Sequence, residues 1–397
     1  MANDTIEIRR FDVHADDASE WARFHRYRRI RDEELHPGEP QAADADFEHD
    51  ARRRMPFFEA ERFVAREGDE LVGNIILWRR RPDAPNSEPF ALHMEAWLGV
   101  LGAHRRRGIG SRLLVPLLAF MREHGKTVAT MNTFYPPGHA FLEASGAVLK
   151  HRVVENRMRI DGLDADELAR WKAQGTAGGA LHFEIHPGRT PMERLAQLLA
   201  PFSDLFNDMP LGELELPPAR YELDGYANWY RELDRSGGEH HLVLLVDTDG
   251  TLAAMCEAHW DPRTPDRLHQ RLTGVARAWR GRSLAKAVKA AMLDSVRALH
   301  PELRTVVTYN AEANAPILAI NRRLGFEVHR RQGSISWGSR RWPSAWRGAG
   351  NRRPEAQIAP IRFKFEAYRA GTGAQQERAA CSKLARPRSR PSRHTPP

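Results

Sequence analysis

The chain contains one internal repeat, and this repeat constrains its fold more than any other feature of the sequence. Three landmarks of the first half recur in the second at offsets of 175, 178 and 179 residues: Arg105 at Arg280, Asn132 at Asn310 and Gly146 at Gly325. Landmarks that keep one register so closely over such a distance indicate a tandem duplication of one folding unit. A chain of 397 residues also has room for two domains of ordinary size.

Hydrophobic periodicity predicts the same order of elements in both halves. In the first half it predicts a strand, two helices, a hairpin, a strand, a helix, a strand, a short helix and a last strand, at 7–11, 20–34, 47–58, 63–66 with 71–78, 90–100, 108–123, 127–131, 139–144 and 148–160. In the second half the corresponding elements are predicted at 181–185, 192–205, 240–246 with 252–259, 268–275, 284–299, 304–309, 316–324 and 326–337. Each half is therefore expected to be an α/β (α+β) unit.

Composition suggests where these units begin and end. We expect a first domain over 1–165, a linker over 166–180, a second domain over 181–340 and a tail over 341–397. The linker is expected to be flexible because residues 175–179 read Gly-Thr-Ala-Gly-Gly.

The positive charge of the chain is concentrated in the tail. Residues 338–397 carry 14 Lys or Arg against three Asp or Glu, so they hold +11 while the first 337 residues hold −3 of the formal +8. A segment so rich in Arg, Pro and Ser is predicted to be disordered, and nucleic acid would bind only non-specifically through it. An alternative is that translation here runs past the natural end of the protein.

Several classes of protein and site are not expected. Two cysteines, Cys256 and Cys381, cannot form a disulfide framework, and no Walker A, His-Glu-x-x-His, Gly-x-Ser-x-Gly or Cys-x-x-Cys motif occurs. His240 and His241 are consecutive in a predicted strand and should face opposite ways, so no metal site is expected there. The apolar runs are too short to cross a membrane, and no basic, apolar leader begins the chain, so a cytoplasmic protein is predicted. The sequence predicts no particular oligomeric state.

The clearest local motif is Arg105-Arg106-Arg107-Gly108-Ile109-Gly110-Ser111, between a predicted strand and a predicted helix. Glycines allow backbone amides to approach an anion closely, and the positive end of the helix dipole adds to the attraction. The motif therefore suits a pyrophosphate group, although a tight turn with a solvated basic face explains the same residues.

The motif in its context resembles the GNAT superfamily of acyl-CoA-dependent N-acyltransferases, in the tandem arrangement also found in mycothiol synthase-like enzymes. The second half carries the resemblance in four segments: Thr273-Gly274-Val275, Arg280-Gly281-Arg282-Ser283-Leu284-Ala285, residues 308–314 and residues 319–326. The resemblance implies two tandem GNAT folds, each with a mixed, mostly antiparallel sheet, a splayed pair of parallel strands and flanking helices. It also implies acetyl-CoA as co-substrate, with no metal.

The resemblance assigns the cofactor-binding positions in each half. In the first half these are Val100, Arg105, Arg106, Arg107, Gly108, Ile109 and Gly110, with the cofactor arm expected along residues 98–100. In the second half they are Val275, Arg280, Gly281, Arg282, Ser283, Leu284, Ala285, Asn310 and Asn314. Asn314 also stands where a helix N-cap belongs, so we expect it to cap whatever its other role.

The implied reaction is direct attack of the primary amine of a small molecule on the thioester. Glu95 is the candidate base, and its counterpart in the second half is placed near Gln270, which cannot act as one. A one-residue slip would turn the Glu95 side chain to the other face of the sheet, and a solvated strand glutamate is the alternative reading.

The residues depart from the family pattern where a tyrosine usually protonates the leaving thiolate. Leu142 and Asn321 hold those positions, which favours an alternative function as a non-catalytic acyl-CoA binding or sensing protein. The phosphate loop of the first half matches the family pattern more closely, whereas in the second half the closer match is at Asn310 and Asn314. Analogy with tandem relatives favours the second as catalytic, with acceptor-binding residues expected between 202 and 213.

Overall fold

A computed structural model describes residues 6–53, 55, 57–176, 178–210, 213 and 218–338. The predicted disordered tail therefore lies outside the described residues. The elements of the first half are β1 (Glu7–Arg10), α1 (Ala18–Leu35), α2 (Asp44–Arg52), β2 (Phe58–Glu67), β3 (Glu70–Arg80), β4 (His93–Val100), α3 (Ile109–Glu123), β5 (Val128–Thr133), α4 (Pro136–Ala144) and β6 (Val148–Arg159). Helix α5 (Ala165–Thr176) follows them.

The second half repeats this order. Its elements are β7 (His182–His186), α6 (Met192–Asn207), α7 (Leu223–Ser236), β8 (Glu239–Val246), β9 (Leu252–Trp260), β10 (Arg267–Val275), α8 (Leu284–Leu299), β11 (Thr305–Ala311), α9 (Ala315–Arg323) and β12 (Glu327–Gly338). Both halves thus have the predicted α/β order of elements, with parallel and antiparallel strand pairs and flanking helices.

Two helices, α5 and α7, were not expected from the sequence. Helix α5 occupies most of the predicted flexible linker, and Leu168 and Trp171 join the apolar core around α8. Gly175 belongs to the contact surface of α5, since a Cβ there would lie 2.4 Å from the Cβ of Ala287. The glycine thus permits close helix packing, and among the described residues of the predicted linker only 178–180 are non-helical. The domain bounds themselves remain a prediction.

All twelve strands of the described chain join one sheet, in the order β1-β2-β3-β4-β5-β12-β6-β11-β10-β9-β8-β7. The closing strands of the two halves are exchanged. Strand β12 pairs antiparallel with β5 of the first half, and β6 pairs antiparallel with β11 of the second. The two exchanged strands also pair with each other at the centre.

The exchange places side chains of each half in the core of the other. Ile335 and Trp337 of β12 are fully buried in the first-half core, where Trp337 Nε1 donates to the carbonyl of Ser145 at 3.0 Å. Met158 and Ile160, at the end of β6 and just after it, are buried in the second-half core. Neither core is complete without residues from the other half.

A buried ionic network crosses the same central strands. Glu155 on β6 is 2% exposed and contacts Arg330 at 2.5 Å and Arg157 at 2.6 Å, and it accepts a hydrogen bond from the Tyr309 hydroxyl at 3.1 Å. Glu39, after α1, bonds Arg157 at 2.6 Å. Because a lone buried charge is costly, these partners hold β6, β11 and β12 in one arrangement.

We expect Trp337→Ala to destabilise the first half although Trp337 belongs to the chain of the second. Truncating a fully buried tryptophan should lower the free energy of unfolding by about 3–5 kcal/mol. Urea unfolding checks this, with Val328→Ala on the same strand as control, since Val328 is 46% exposed. A loss below about 1 kcal/mol would contradict the interlocked core.

Glu39 should make stability depend on pH in the acid range. Burial alone would raise the pKa of Glu39, but hydrogen bonding to Arg157 and the charges of Arg157 and Arg267 lower it from 4.5 to about 2. Because the folded-state pKa is depressed, the stabilisation is present above about pH 4.5 and is lost as the pH falls towards 2.

Glu39→Gln should therefore lower the free energy of unfolding at pH 7 by up to about 3 kcal/mol, less what solvent screening removes. The gap between the variant and the wild type should close between pH 5 and pH 2. Urea unfolding at several pH values measures this, with the exposed Glu70→Gln as control. A gap that does not vary with pH would contradict the assignment.

Candidate functional site

Each half opens a slot between two parallel strands. Strand β4 pairs with β5 only as far as Ala96 opposite Met131, yet it continues to Val100. Strand β10 pairs with β11 only as far as Gln270 opposite Thr308, and it continues to Val275. The last four residues of β4 and the last five of β10 therefore have no strand partner on that side.

Hydrogen bonds after the two strands show which residues face the slots. The amide of Leu101 donates to the carbonyl of Val72 on β3, and the amide of Ala276 donates to the carbonyl of Ala253 on β9. Because successive residues of a strand direct their backbone groups to opposite sides, the residues just before these amides face the slots. These residues are Val100 and Val275, the two strand positions proposed from the sequence.

Arg105 and Arg280 each bond the carbonyl group of the last residue of a slot strand. Their Nε atoms donate to the carbonyls of Val100 and Val275 at 2.9 and 3.1 Å. Arg105 also bonds Glu34 at 2.5 Å, and Arg280 bonds Asp208 at 2.6 Å. The two arginines thus perform the same structural task in both halves.

The loops after these arginines share one backbone path. Arg106 and Gly108 have φ values of 64° and 76°, and Gly281 and Ser283 have 77° and 61°. Each loop therefore has two left-handed positions, but the glycine occupies the second in one half and the first in the other. At both glycines, a Cβ would meet no atom within 4 Å, so the space beside the loops is open.

The first amides of both helices are available to a ligand. Within the described chain, the amides of Gly110 and Ser111 in α3, and of Ala285 in α8, donate to no backbone carbonyl. Ile109 and Leu284 are buried, so only their backbone could reach a ligand. Each loop thus offers backbone donors at the positive end of a helix dipole.

The other loop and asparagine positions contact protein groups. Arg107 pairs with Glu67, and Arg282 lies over the Trp279 ring at 4.8 Å. The Oδ1 of Asn310 accepts from Asn321 at 2.7 Å and from Asn156 at 3.2 Å. Asn314 caps α9 by accepting from the amide of Ile317 at 3.4 Å, which confirms the expected N-cap.

A chamber of about 1300 Å³ lies between the two halves and reaches both slots. At one end it is lined by Glu95 and Trp97 of β4, and at the other by His269 and Arg271 of β10. Five strand spacings separate β4 from β10, so the two ends lie roughly 24 Å apart along the sheet. One chamber therefore serves two separate slots.

Ion pairs between α2 and α7 bridge the two halves beside the chamber. Arg53 after α2 pairs with Glu232, and Asp50 lies 3.5 Å from Arg235. Burial raises the pKa of Asp50 to about 8 despite the nearby arginines. These helices carry the aromatic lining of the chamber, including Trp229.

The two slots differ at one point of backbone geometry. Strand β10 has a β-bulge against β9, since Gln270 lies opposite Ala258 and the next pair is Thr273 with Cys256. Strand β4 pairs with β3 without any such shift. The bulge begins where the pairing with β11 ends, so the backbone of the second slot is redirected at its mouth.

The bulge also changes which residue of the second half corresponds to Glu95. Glu95 lies opposite Trp78, six residues after Val72, and His269 lies opposite His259, six residues after Ala253. The matching position is therefore His269 and not Gln270. Gln270 turns to the other face, where its Nε2 lies 3.3 Å from the Sγ of Cys256 and its Oε1 accepts from Lys289.

Glu257, directly behind the bulge, anchors a buried network that the sequence did not reveal. It is 1% exposed and bonds Arg271 Nε at 3.2 Å and His240 Nε2 at 3.1 Å. Arg271 in turn stacks over Trp229 at 4.3 Å, and Tyr230 bonds the second nitrogen of His240 at 2.7 Å. The network fixes Arg271 against the wall of the chamber.

The positions of the expected family tyrosine hold no acid. Leu142 is packed in the first-half core, and Asn321 is fully buried. The two nearby phenols are otherwise engaged, Tyr135 with Arg105 at 2.8 Å and Tyr309 with Glu155.

Glu239, His241 and His300 converge at the far end of α8 and have metal-like spacing. The amide of Gly188 donates to Nδ1 of His241 at 3.2 Å, so the neutral ring carries its proton on Nε2, which faces Glu239 at 2.8 Å. A metal bound at Nε2 would instead require a proton on Nδ1, facing the amide hydrogen. The three side chains are better explained as a hydrogen-bonded cluster than as a metal site.

Left-handed φ values give opposite expectations for the two loops. Gly108→Ala should lower the free energy of unfolding by about 1 kcal/mol, and Ser283→Gly should raise it by about as much, because only glycine adopts this conformation without strain. Thermal or urea unfolding measures both. Gly162→Ala, at a glycine without positive φ and with open space around its Cβ, is the control. A Ser283→Gly variant less stable than the wild type would contradict the loop geometry.

Comparisons with known proteins agree with this arrangement. The sequence model of the acetyltransferase (GNAT) family matches twice, at residues 21–146 and 201–326. A search of curated protein sequences found no match. In the part of the chain that the structure describes, no helix has the length and apolar character needed to cross a membrane.

Solved structures share the fold at low sequence identity. A tandem GNAT protein from the clavulanic acid biosynthesis pathway is 23% identical, covers 84% of this chain and 99% of its own, and has a TM-score of 0.62. A GCN5-related N-acetyltransferase from Sphaerobacter thermophilus is 14% identical, with 85% and 96% covered and a TM-score of 0.55. A glucosamine N-acetyltransferase region of a fungal multi-domain β-N-acetylglucosaminidase is 15% identical, with 85% and 38% covered and a TM-score of 0.58.

The two family matches span more than half of the chain, and they coincide with the two slot-bearing halves. The protein therefore belongs to the GNAT acetyltransferase family and carries two copies of its fold in tandem.

Proposed function

We propose that the protein transfers an acetyl group from acetyl-CoA to the primary amine of a small molecule, and that the second half performs the transfer. The observation that carries this proposal is the bulge of β10. It coincides with the end of strand pairing at Gln270 and opens onto the central chamber. Bulges of this kind redirect backbone and side chains next to active sites.

The residues present fit acetyl-CoA. The slot offers an unpaired strand edge ending at Val275, and the following loop offers amides at the start of α8 with open space beside Gly281. We assign the pyrophosphate to the loop over residues 280–285 and the cofactor arm to the strand edge over residues 273–275. The first half offers the same elements at Val100 and residues 105–110.

Acetyl-CoA would supply an activated acetyl carbonyl. The slot-facing amides of β10, on alternate residues Thr273 and Val275, would donate to the oxyanion that forms when the amine attacks. The chamber would hold the amine, and its aromatic walls would exclude water from the reacting groups. Arg280, tied to Val275 and Asp208, would keep the strand edge in place.

In the first half, Glu95 is the proposed proton acceptor. It lines the chamber at the first slot, where a carboxylate could receive the proton of an amine. The distance of roughly 24 Å between β4 and β10 confines this role to the first slot. Transfer by the second half needs a base of its own.

A second candidate function is acyl-CoA binding without transfer. The observation that favours it is the absence of an acid at Leu142 and Asn321, where the family usually has a tyrosine that protonates the thiolate. A sensor would bind acetyl-CoA through the same loops and transmit its presence through the exchanged strands.

Acetyl-CoA binding and thiol release from a panel of amines distinguish these functions. At a hundred times its dissociation constant, acetyl-CoA should stabilise the protein by about 2.7 kcal/mol. Ser283→Glu places a charge in the second loop and should abolish thiol release, whereas Gly108→Glu in the first loop should retain it. Stabilisation without thiol release from any amine would favour the sensor. Equal transfer by both variants and the wild type would contradict the proposed cofactor site.

A further inference from the structure

Two histidines beside the bulge face the chamber. His259 and His269 are directly opposite each other on β9 and β10, with ring centroids 6.1 Å apart, and both line the chamber. Within the described residues, burial and neighbouring charges act on the two rings, and no hydrogen bond does. Both residues are partly exposed and line the chamber, so their ring nitrogens are accessible to a ligand there.

The surroundings keep both rings neutral. The charged and titratable groups around the pair come from three strands and the loop after β9: His240 on β8, Arg267 and Arg271 on β10, Glu155 on β6, and Asp261 and Arg263 in the loop. Burial lowers the pKa of His269 to about 3 and that of His259 to about 4. At pH 7 each imidazole therefore has one nitrogen that can accept a proton or a hydrogen bond.

The position of His269 is that of the candidate base of the other half. It occupies the register position of Glu95, on the chamber face and just before the bulge that opens the second slot. Building on the acetyltransferase function proposed above, we infer that His269 is the catalytic base of the second half and that its acceptor is a weakly basic amine such as an arylamine.

One proton transfer explains both the role of His269 as base and the choice of a weakly basic amine as acceptor. The amine nitrogen bonds to the thioester carbonyl carbon, its proton passes to the His269 ring, the C–S bond breaks with its electron pair on sulfur, and the imidazolium returns the proton to the thiolate. A weak base removes a proton readily only from an acidic nitrogen. An arylamine is neutral at pH 7, whereas an alkylammonium group like that of lysine titrates near pH 10.

The walls near His269 suit an aromatic acceptor. Trp229 lies 6.1 Å from His259 and carries the Arg271 guanidinium on its face at 4.3 Å. Tyr221, Tyr226 and Phe206 line the same part of the chamber. The one carboxylate directly behind the bulge, Glu257, is bonded to Arg271 and His240. An aromatic ring could stack here. The carboxylates around the pair are each engaged by an arginine, Glu257 by Arg271, Glu155 by Arg330 and Asp261 by Arg263.

The test compares His269→Gln and His269→Ala with the wild type in acetyl transfer to p-anisidine. We expect kcat to fall 100-fold or more, with the KM for acetyl-CoA and the thermal stabilisation by acetyl-CoA unchanged within about threefold. Free imidazole should restore part of the rate to His269→Ala, which a merely structural role would not allow. His186→Gln on the edge strand β7 is the matched control.

The acceptor class is tested with the wild type at pH 7. The value of kcat/KM should be at least tenfold higher for p-anisidine than for benzylamine. A His269→Gln rate within threefold of the wild type, a lack of imidazole rescue, or an equal preference for benzylamine would overturn this inference and leave the acetyltransferase function intact. Wild-type protein that binds acetyl-CoA but acetylates neither amine, nor any other amine of the panel, would overturn both.

Discussion

The backbone pairing of β12 with β5, and of β6 with β11, is the interaction on which the rest of the structure depends. It joins two repeats into one sheet and places the exchanged strands beneath the chamber. With those strands at the centre, the two slots face a common space instead of two separate surfaces. The buried charges around Glu155 then fix the strands relative to one another.

The two halves share one architecture, but a single inserted residue in β10 makes their slots differ in backbone geometry. The first half keeps a regular β4 and a glutamate facing the chamber. The second half has a bulge, a histidine at the equivalent position, and a buried network around Glu257. The equivalent residue of the first half is Ile76, because Ile76 follows Val72 by as many residues as Glu257 follows Ala253.

Much of this fold could be predicted from the sequence because its signals are local. The glycine loops, the helix after each loop and the Asn314 cap follow from backbone requirements that act over a few residues. The bulge has no such signal. One extra residue does not visibly disturb the alternation of apolar and polar residues around Gln270, so the residue matched to Glu95 was displaced by one position, from His269 to Gln270. Helix α7 was missed because Asp224 and Gly225 near its start resemble a turn.

The exchange could not be predicted for a different reason. Because β6 and β12 close the two repeats at the same place in the element order, that order does not say which core each strand enters. Burial of Trp337 in the first half is therefore a property of the whole assembly, which no window of sequence can reveal. The same holds for the contact of α5 with α8. The composition around Gly175 suggests a flexible linker, whereas in the structure this glycine allows the two helices to pack closely.

The exchange also has a consequence for biosynthesis. Thr133 on β5 pairs with Gly333, so the ribosome must add 200 further residues before that strand acquires its neighbour. Until then β5 is an open edge in a nascent chain, which is the kind of surface that recruits chaperones or pairs with another polypeptide. Contacts so distant in sequence also slow folding. The first half of the molecule therefore completes its fold only after β12 has been made.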